Sequence, residues 1–420
     1  MTNEAKLRHL ITVGLARRYT LRARAEGSEF IIEGIEEPKC LLGVHRGVNS
    51  PSFLANAPVI LATANAAASR VIDRVQFELK IIEQAGLPAY FLLVADCARY
   101  GRSIGAGCFA PGSTPSSMVN YLLEISTVDP IRHGLIFERF WHPKRNHLLC
   151  VFLEFASDRL DEVIKYAKKE CGGKSVAHIA TDIKSNIASD LPTLGLLGAD
   201  ALIVLRRTCE RVRQVKGTEV LIDQIPLNDA TTYKLLKSGY TDGIFQLEHT
   251  RMRNLCRKLK PTTIEHISTL STAHPLVPYC LEPPGLFPEF IARRHGRMDI
   301  KYPHPSLEPV LRETYGMLVY QEQLMKVAQI MAGYTGSSAD LLRRSLGRRN
   351  QLELTRHRQH FVSGAKGRNG ISLSAATRMF DWLDRFSCYG SNKSHAIACA
   401  TLTYQTAYLK ANYAAEFHSA

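Results

Sequence analysis

Phe137-Glu138-Arg139-Phe140-Trp141-His142-Pro143, followed after a short polar gap by His147-Leu148-Leu149-Cys150-Val151-Phe152-Leu153-Glu154-Phe155, is the stretch whose reading decides the fold. Val151 to Phe155 is a short apolar run of strand length, and it opens after a proline and a charged gap. Side chains alternate along a strand, so Cys150, Phe152 and Glu154 are expected on one face and Val151, Leu153 and Phe155 on the other. Downstream, Ser157 fits the N-cap of a helix carrying Glu162, Val163, Ile164 and Tyr166. Upstream, Gly101 to Ser117 reads as a glycine- and serine-rich loop before a helix from Met118 to about Ile125.

Working outward, residues 1–30 begin with helical spacing (Leu7, Leu10, Ile11, Leu15) and then lose it. Gly34 to about Asn65 reads as irregular connection. Ala66 to Gly86 is predicted as a helix on Val71, Val75, Phe77, Leu79 and Ile82, and Tyr90 to Val94 begins another buried element. Residues 172–198 form a weakly patterned bridge, followed by a helix from about Ala199 to Gln214. A second short strand is expected over Glu219–Ile225, with a turn at Pro226-Leu227-Asn228-Asp229. From Thr231 the pattern is mainly helical, broken by a proline-rich loop at 275–288 and by glycines at 333, 347, 364 and 390. The sequence contains no internal repeat and no low-complexity tract. Three regions follow: an irregular or linker region (1–65), a strand-containing domain (66–230) and a helical domain (231–420).

At 420 residues, 45% hydrophobic and 22% charged, the chain has the composition of a globular protein with several cores. No run of 18 apolar residues and no signal-peptide pattern occurs, so a cytoplasmic protein without a membrane partner is expected. The 10 cysteines are scattered with no C-x-x-C pair, which disfavours a metal finger or a disulfide framework and favours reduced thiols. The net charge of +14 favours a polyanionic partner. Arg343, Arg344, Arg348, Arg349, Arg356, His357, Arg358 and His360 crowd one short run, opposed within it only by Glu353, which points to nucleic acid or nucleotide.

Six further strings extend the pattern: Gly243-Ile244-Phe245-Gln246-Leu247-Glu248; Glu313-Thr314-Tyr315-Gly316; Val319-Tyr320-Gln321-Glu322-Gln323; Ala339-Asp340-Leu341-Leu342-Arg343-Arg344; Tyr389-Gly390-Ser391-Asn392-Lys393-Ser394-His395-Ala396; and Tyr404-Gln405-Thr406-Ala407-Tyr408-Leu409-Lys410. In this order and spacing, and together with Glu138-Arg139-Phe140, they make the chain resemble the bacterial DNA polymerase III alpha subunits. These are C-family DNA polymerases, a group that includes error-prone alpha-like members. The resemblance covers roughly residues 70–420. It implies an α+β fold, with a polymerase-beta-like nucleotidyltransferase palm remnant followed by a mainly α-helical fingers domain. It also implies magnesium as cofactor, DNA and deoxynucleoside triphosphate as partners, and other replisome proteins beside them. By the same resemblance Gly112, Ser113, Arg343, Arg344, Lys393 and His395 are candidate nucleotide or phosphate contacts. Arg343 and Arg344 offer forked donors, and Lys393 a point charge. A core histidine is the alternative for His395.

The resemblance breaks where the family does its chemistry. Aligned with the family strand P-D-I-D-[IV]-D-F, the two metal-binding aspartates fall on Cys150 and Phe152, and the last acid survives as Glu154. The third metal-binding aspartate falls on Leu221. The arginine of the family's phosphate loop falls on Pro111, while Gly112 and Ser113 remain as a partial cradle at a helix N-terminus. Glu154 and Asp223 form the conceivable shifted metal pair, Asp223 sharing a strand face with Leu221. The thumb is expected to be largely deleted, and the N-terminal phosphoesterase-type and C-terminal clamp-binding modules absent. Three readings follow: a catalytically impaired polymerase-like DNA- or nucleotide-binding protein, an active reduced error-prone polymerase using the rearranged acids, and a decayed paralogue.

Overall fold

The structure, a computed structural model, describes residues 1–27, 29–37, 57–145, 148–171, 177–181, 191–273 and 285–420. The chain forms two compact units, Met1–Pro226 with Ser419–Ala420, and Leu227–His418.

The first unit opens with α1 (Asn3–Tyr19), whose N-terminus is capped by Thr2 Oγ1 accepting from Ala5 N–H at 3.2 Å. Leu7, Ile11 and Leu15, spaced by four, form its buried face. A helical period disappears after residue 20 because the chain turns into a two-stranded antiparallel ribbon, β1 (Leu21–Glu26) and β2 (Glu29–Ile35), with only Leu21 and Ala23 of β1 buried. Helix α2 (Ala57–Gln84) starts earlier than the sequence spacing indicates, so the irregular segment read to about Asn65 is already helical from Ala57. The part of that segment between 38 and 56 lies outside the described residues. Helix α3 (Pro88–Ser103) has proline in its first turn, where no N–H is needed.

The sheet is parallel throughout, in the order β3 (Cys150–Phe155), β5 (Thr193–Gly198), β4 (His178–Ala180), with β5 central. Parallel neighbours need a crossover. Helix α4 (Leu160–Glu170) lies between β3 and β4 in the chain. Val151, Leu153 and Phe155 are fully buried against α3, each contributing about 1.5–3 kcal/mol by leaving water. Phe155 fits because Gly101 of α3 has no Cβ; one placed there would lie 2.3 Å from its ring. Tyr90 ties two strands together, its hydroxyl accepting from Val151 N–H (3.1 Å) and donating to Thr193 O (2.7 Å).

Three local expectations are corrected. The bridge at 172–198 contains two of the three sheet strands; β5 was hidden because a strand buried on both faces lacks alternation. Ser157 is not an N-cap: a 3-10 turn (Ser157–Arg159) precedes α4, which has no side-chain cap. Glu219–Ile225 is not a strand. It follows helix α5 (Asp200–Lys216) as extended chain that tightens into a 3-10 turn at Ile222–Gln224.

The second unit is helical: α6 (Ala230–Ser238), α7 (Thr250–Leu259), α8 (Ile264–Ser271), α9 (Leu286–Arg294), α10 (Gln321–Ala332), α11 (Gly336–Arg348), α12 (Gln351–Asn369), α13 (Leu373–Phe386) and α14 (Lys393–Asn412). The chain is thus α+β, with a small sheet in one unit and helices in the other. The expected proline-rich loop at 275–288 lies outside the described residues up to 284, and from Leu286 it is already helical. Helix α14 is buried around most of its circumference against α6 and α8, and its alanines at 396, 398, 400 and 407 permit close approach. Its polar side chains hold the chain on both sides of α6. Tyr404 Oη accepts from Asp229 N–H (2.9 Å), Thr406 Oγ1 from Phe245 N–H (3.2 Å), and Lys410 Nζ donates to Asp242 O (2.7 Å). The described cysteines are free thiols, and among the described residues no single helix is long and apolar enough to cross a membrane.

Candidate functional site

Cys150, Phe152 and Glu154 do share the half-exposed face of β3. Phe152 stands in register with Gly195 of β5, and its ring lies so close that a Cβ on Gly195 would be 2.1 Å from Cδ1. The aromatic ring therefore covers the strand where the family resemblance places a metal ligand. Burial pushes the Cys150 thiol up to about 11, so it stays protonated near neutrality. Burial alone also pushes the Glu154 carboxyl up to about 7. Glu154 is further fixed by backbone pairing with Phe109, N–H to O in both directions at 2.7 and 2.8 Å.

Leu221 is 48% exposed and precedes the 3-10 turn that carries exposed Asp223. The expected strand face shared by these two residues does not exist. The negative charge of Asp223 raises the Cys108 thiol and the Tyr121 hydroxyl, after burial, whereas Glu154 responds to burial only. Among the described residues no group of three His, Cys, Asp or Glu side chains is arranged to hold a metal ion. Magnesium requires near-octahedral oxygen ligands. A thiol, a phenyl ring and a carboxyl half-protonated at neutrality do not fit it, so the family's metal pair has no match on this face.

The loop before the single-turn helix Met118–Leu122 carries Gly112 in a left-handed conformation (φ 72°) with open space around it, and Ser113, whose carbonyl accepts from Ser116 N–H at 3.0 Å. The helix N-terminus they approach is already occupied from inside the protein. Glu78, fully buried on α2, accepts from Ser117 Oγ (2.7 Å), Met118 N–H (2.9 Å) and Val119 N–H (3.1 Å). Arg74 neutralises it at 2.5 Å and donates to Ser116 O and Leu135 O. At this helix N-terminus a protein carboxylate already accepts from the Ser117, Met118 and Val119 donors.

In the second unit, four of the quoted strings converge. Ser391 N–H donates to Val319 O (3.0 Å) and Gln321 N–H to Ser391 O (2.7 Å), joining the start of α10 to the start of α14. Glu322, 1% exposed, accepts from Lys393 N–H at 2.8 Å at the N-terminus of α14. Gln323 accepts from Val319 and Tyr320 N–H (2.9 and 3.0 Å) and donates to Val310 O and Thr314 Oγ1. Arg343 donates through Nε to buried Asp340 (2.9 Å) and through Nη1 to Gln321 Oε1 (3.1 Å), while Gln321 donates to Gly390 O (2.9 Å). Lys393 is 5% exposed and donates to both carboxylate oxygens of Glu313 at 2.7 and 2.8 Å. Arg343 and Lys393 are thus brought into one network, each with an internal carboxylate. Arg344 is half-buried on the adjacent position of α11. His395 lies one turn before Cys399, whose sulfur is 3.6 Å from Nε2, and loss of water on its protein side lowers its pKa.

The crowded basic run is offset in part by acids outside its own window. Arg349 pairs with Asp384 at 2.5 Å and Arg358 with Asp381, both on α13, and Arg343 with Asp340. The patch is thereby reduced but stays net positive, with Arg348 and Arg356 exposed. Sequence reasoning missed Glu78, Glu313, Glu322 and Asp340 as the acids that organise these sites. The last three sat inside the quoted strings, an available signal.

A small parallel sheet followed by a helical unit on which four of the quoted strings converge gives the α+β architecture that the resemblance implies. Residues 42–189 match the family model of the bacterial DNA polymerase III alpha NTPase domain, and residues 201–369 that of the bacterial DNA polymerase III alpha subunit finger domain. The DNA polymerase III subunit alpha of Thermus aquaticus is 31% identical, over 84% of this chain and 38% of the relative. Those of Halalkalibacterium halodurans and Caulobacter vibrioides are each 32% identical, over 83% of this chain and 40% of the relative. The chain belongs to the family of bacterial DNA polymerase III alpha subunits, and spans about two fifths of the length of these curated relatives.

Proposed function

We propose that this chain is a cytoplasmic, polymerase-like protein of DNA replication or repair that binds DNA or a deoxynucleoside triphosphate and is impaired in nucleotide addition. Residues 66–230 serve as its palm-like part and residues 231–420 as its fingers-like part. The observation that carries the impairment is the Phe152 ring packed over Gly195, with Leu221 exposed on a turn. Phosphoryl transfer depends on electrostatic stabilisation by positioned ions, and this face offers one carboxyl with a pKa of about 7. Arg343, Arg344, Lys393 and His395 are the proposed nucleotide contacts, with Arg343 and Lys393 exchanging Asp340 and Glu313 for phosphate oxygens on binding.

Primer extension with magnesium and then manganese tests this, run beside the triple variant Cys150→Asp, Phe152→Asp, Leu221→Asp. The expected result is no extension by the unmodified chain, with retained triphosphate or DNA binding. Extension by the unmodified chain would overturn the impairment and favour Glu154 and Asp223 as ligands. Absence of both binding and extension would overturn the binding role.

A further inference from the structure

Residues 249–264 include Arg251, Arg253, Arg257, Lys258 and Lys260 and no Asp or Glu; residues 290–298 include Arg293, Arg294, His295 and Arg297 and again no acid. The second unit joins these runs to the end of α6. Arg257 Nε donates to Ser238 O at 3.1 Å and crosses Gly239, where a Cβ would lie 2.7 Å from it. His295 Nε2 meets Lys258 O at 2.9 Å, and Arg294 Nη2 donates to Thr262 Oγ1 at 3.1 Å. Helices α6, α7 and α9 therefore end together.

Cations are favoured at helix C-termini, which accounts for part of this charge. Arg257 and His295 are used in that way, Arg253 pairs with Asp242, and Arg293 with Glu289. Lys237, Lys258, Lys260 and Arg297 are exposed and, among the described residues, make no ion pair or side-chain hydrogen bond. The local field is felt by buried His266, whose pKa burial and then the charges of Arg294 and His295 push down to about 4. Beside the same helix ends, Tyr240 is 68% exposed, its N–H held by Ser238 Oγ at 3.3 Å and its carbonyl by Lys410 Nζ at 3.1 Å. An exposed aromatic ring on a held backbone, beside unpaired cations, suits a flexible polyanion with flat bases better than a duplex.

Resting on the DNA-binding reading above, we propose that the surface formed by the ends of α6, α7 and α9 binds single-stranded nucleic acid without sequence preference. Lys237, Lys258, Lys260 and Arg297 contact phosphates, and a base stacks on Tyr240.

The test is fluorescence anisotropy of the full chain with an oligothymidylate of about 20 nucleotides across a salt series. Three variants are compared: Lys258→Gln/Lys260→Asn/Arg297→Gln, Tyr240→Ala, and Arg348→Gln/Arg356→Gln. Asparagine is chosen at Lys260 because its φ is 53°, a left-handed conformation that asparagine tolerates. The triple variant should bind at least about tenfold more weakly and lower the slope of log K against log salt by about 2. Tyr240→Ala should weaken binding about 5- to 150-fold with the slope unchanged. Binding by the unmodified chain that only Arg348→Gln/Arg356→Gln weakens would overturn this surface and leave the DNA-binding reading standing. No binding by the unmodified chain would overturn both. Equal competition by polyaspartate would reduce the surface to a general anion patch and overturn the assignment.

Discussion

The ring of Phe152 lies on the backbone of Gly195 across the β3–β5 pair, leaving no room for a side chain at position 195. Gly195→Ala forces the ring off its site and should destabilise the first unit by about 1–3 kcal/mol, as overpacking does. Phe152→Ala removes the obstruction, so the double variant should lose less than the sum of the two single losses. Denaturant midpoints of the four proteins give the coupling, and strict additivity would contradict the contact.

Glu154 supplies a pH dependence of defined sign. Its folded pKa of about 7 lies above the ordinary carboxylate value, so the folded state favours the protonated acid. Its contribution is complete below about pH 4.5 and is lost as pH rises towards 7. With solvent reaching the half-exposed carboxyl, the loss should be about 2 kcal/mol. Glu154→Gln should flatten urea midpoints over this window; an unchanged slope in that variant would disprove the assignment.

His266 acts in the opposite direction. Thr262 N–H donates to Nδ1 (3.2 Å), which leaves Nε2–H to donate to Tyr315 Oη (2.7 Å), and this neutral ring has a folded pKa of about 4. Its contribution is complete above about pH 6.5 and is lost as pH falls towards 4, amounting to about 3 kcal/mol. Imidazole NMR titration of the folded chain should show His266 still about nine-tenths neutral at pH 5.

Glu313 and Lys393 form an unequal pair, the ammonium nearly buried and the carboxylate 31% exposed. Glu313→Ala strands a buried positive charge and should cost about 3 kcal/mol, whereas Lys393→Met leaves an acid that water can still reach and should cost about 1 kcal/mol. Equal losses in thermal unfolding would mean that the pair is open to solvent.

Glu78→Ala should be among the most damaging changes in the first unit. It removes the acceptor for three donors and leaves Arg74 without its counter-ion, a loss of about 3–5 kcal/mol. Circular dichroism melts would detect it directly, and a loss below about 1 kcal/mol would show that water replaces the carboxylate.

What the sequence made legible depended on period and neighbourhood. The β3 face was readable because Val151, Leu153 and Phe155 alternate with less buried partners. β5 was not, because Thr193, Leu194, Gly195 and Leu196 are all buried and show no alternation. Leu221 and Asp223 were read on a strand because β-branched and apolar residues there suit one, but the chain tightens into a 3-10 turn instead. The basic run at 343–360 looked unopposed because Asp381 and Asp384 reach it from another helix, beyond any local window. Arg343 and Lys393 were legible as a pair of motif cations; the partner of Arg343, Asp340, is one helical turn away, whereas that of Lys393, Glu313, lies 80 residues off, a contact that composition does not reveal.

The parallel order that places β5 between β3 and β4 also sets a clock on biosynthesis. Gly195 is made 43 residues after Phe152, a difference taken from their positions. At about 5–20 residues per second, roughly 2–9 seconds pass before the strand that covers the Phe152 ring has been polymerised. During that interval β3 has been made without its parallel partner β5, so Phe152 and an unpaired strand edge are presented together.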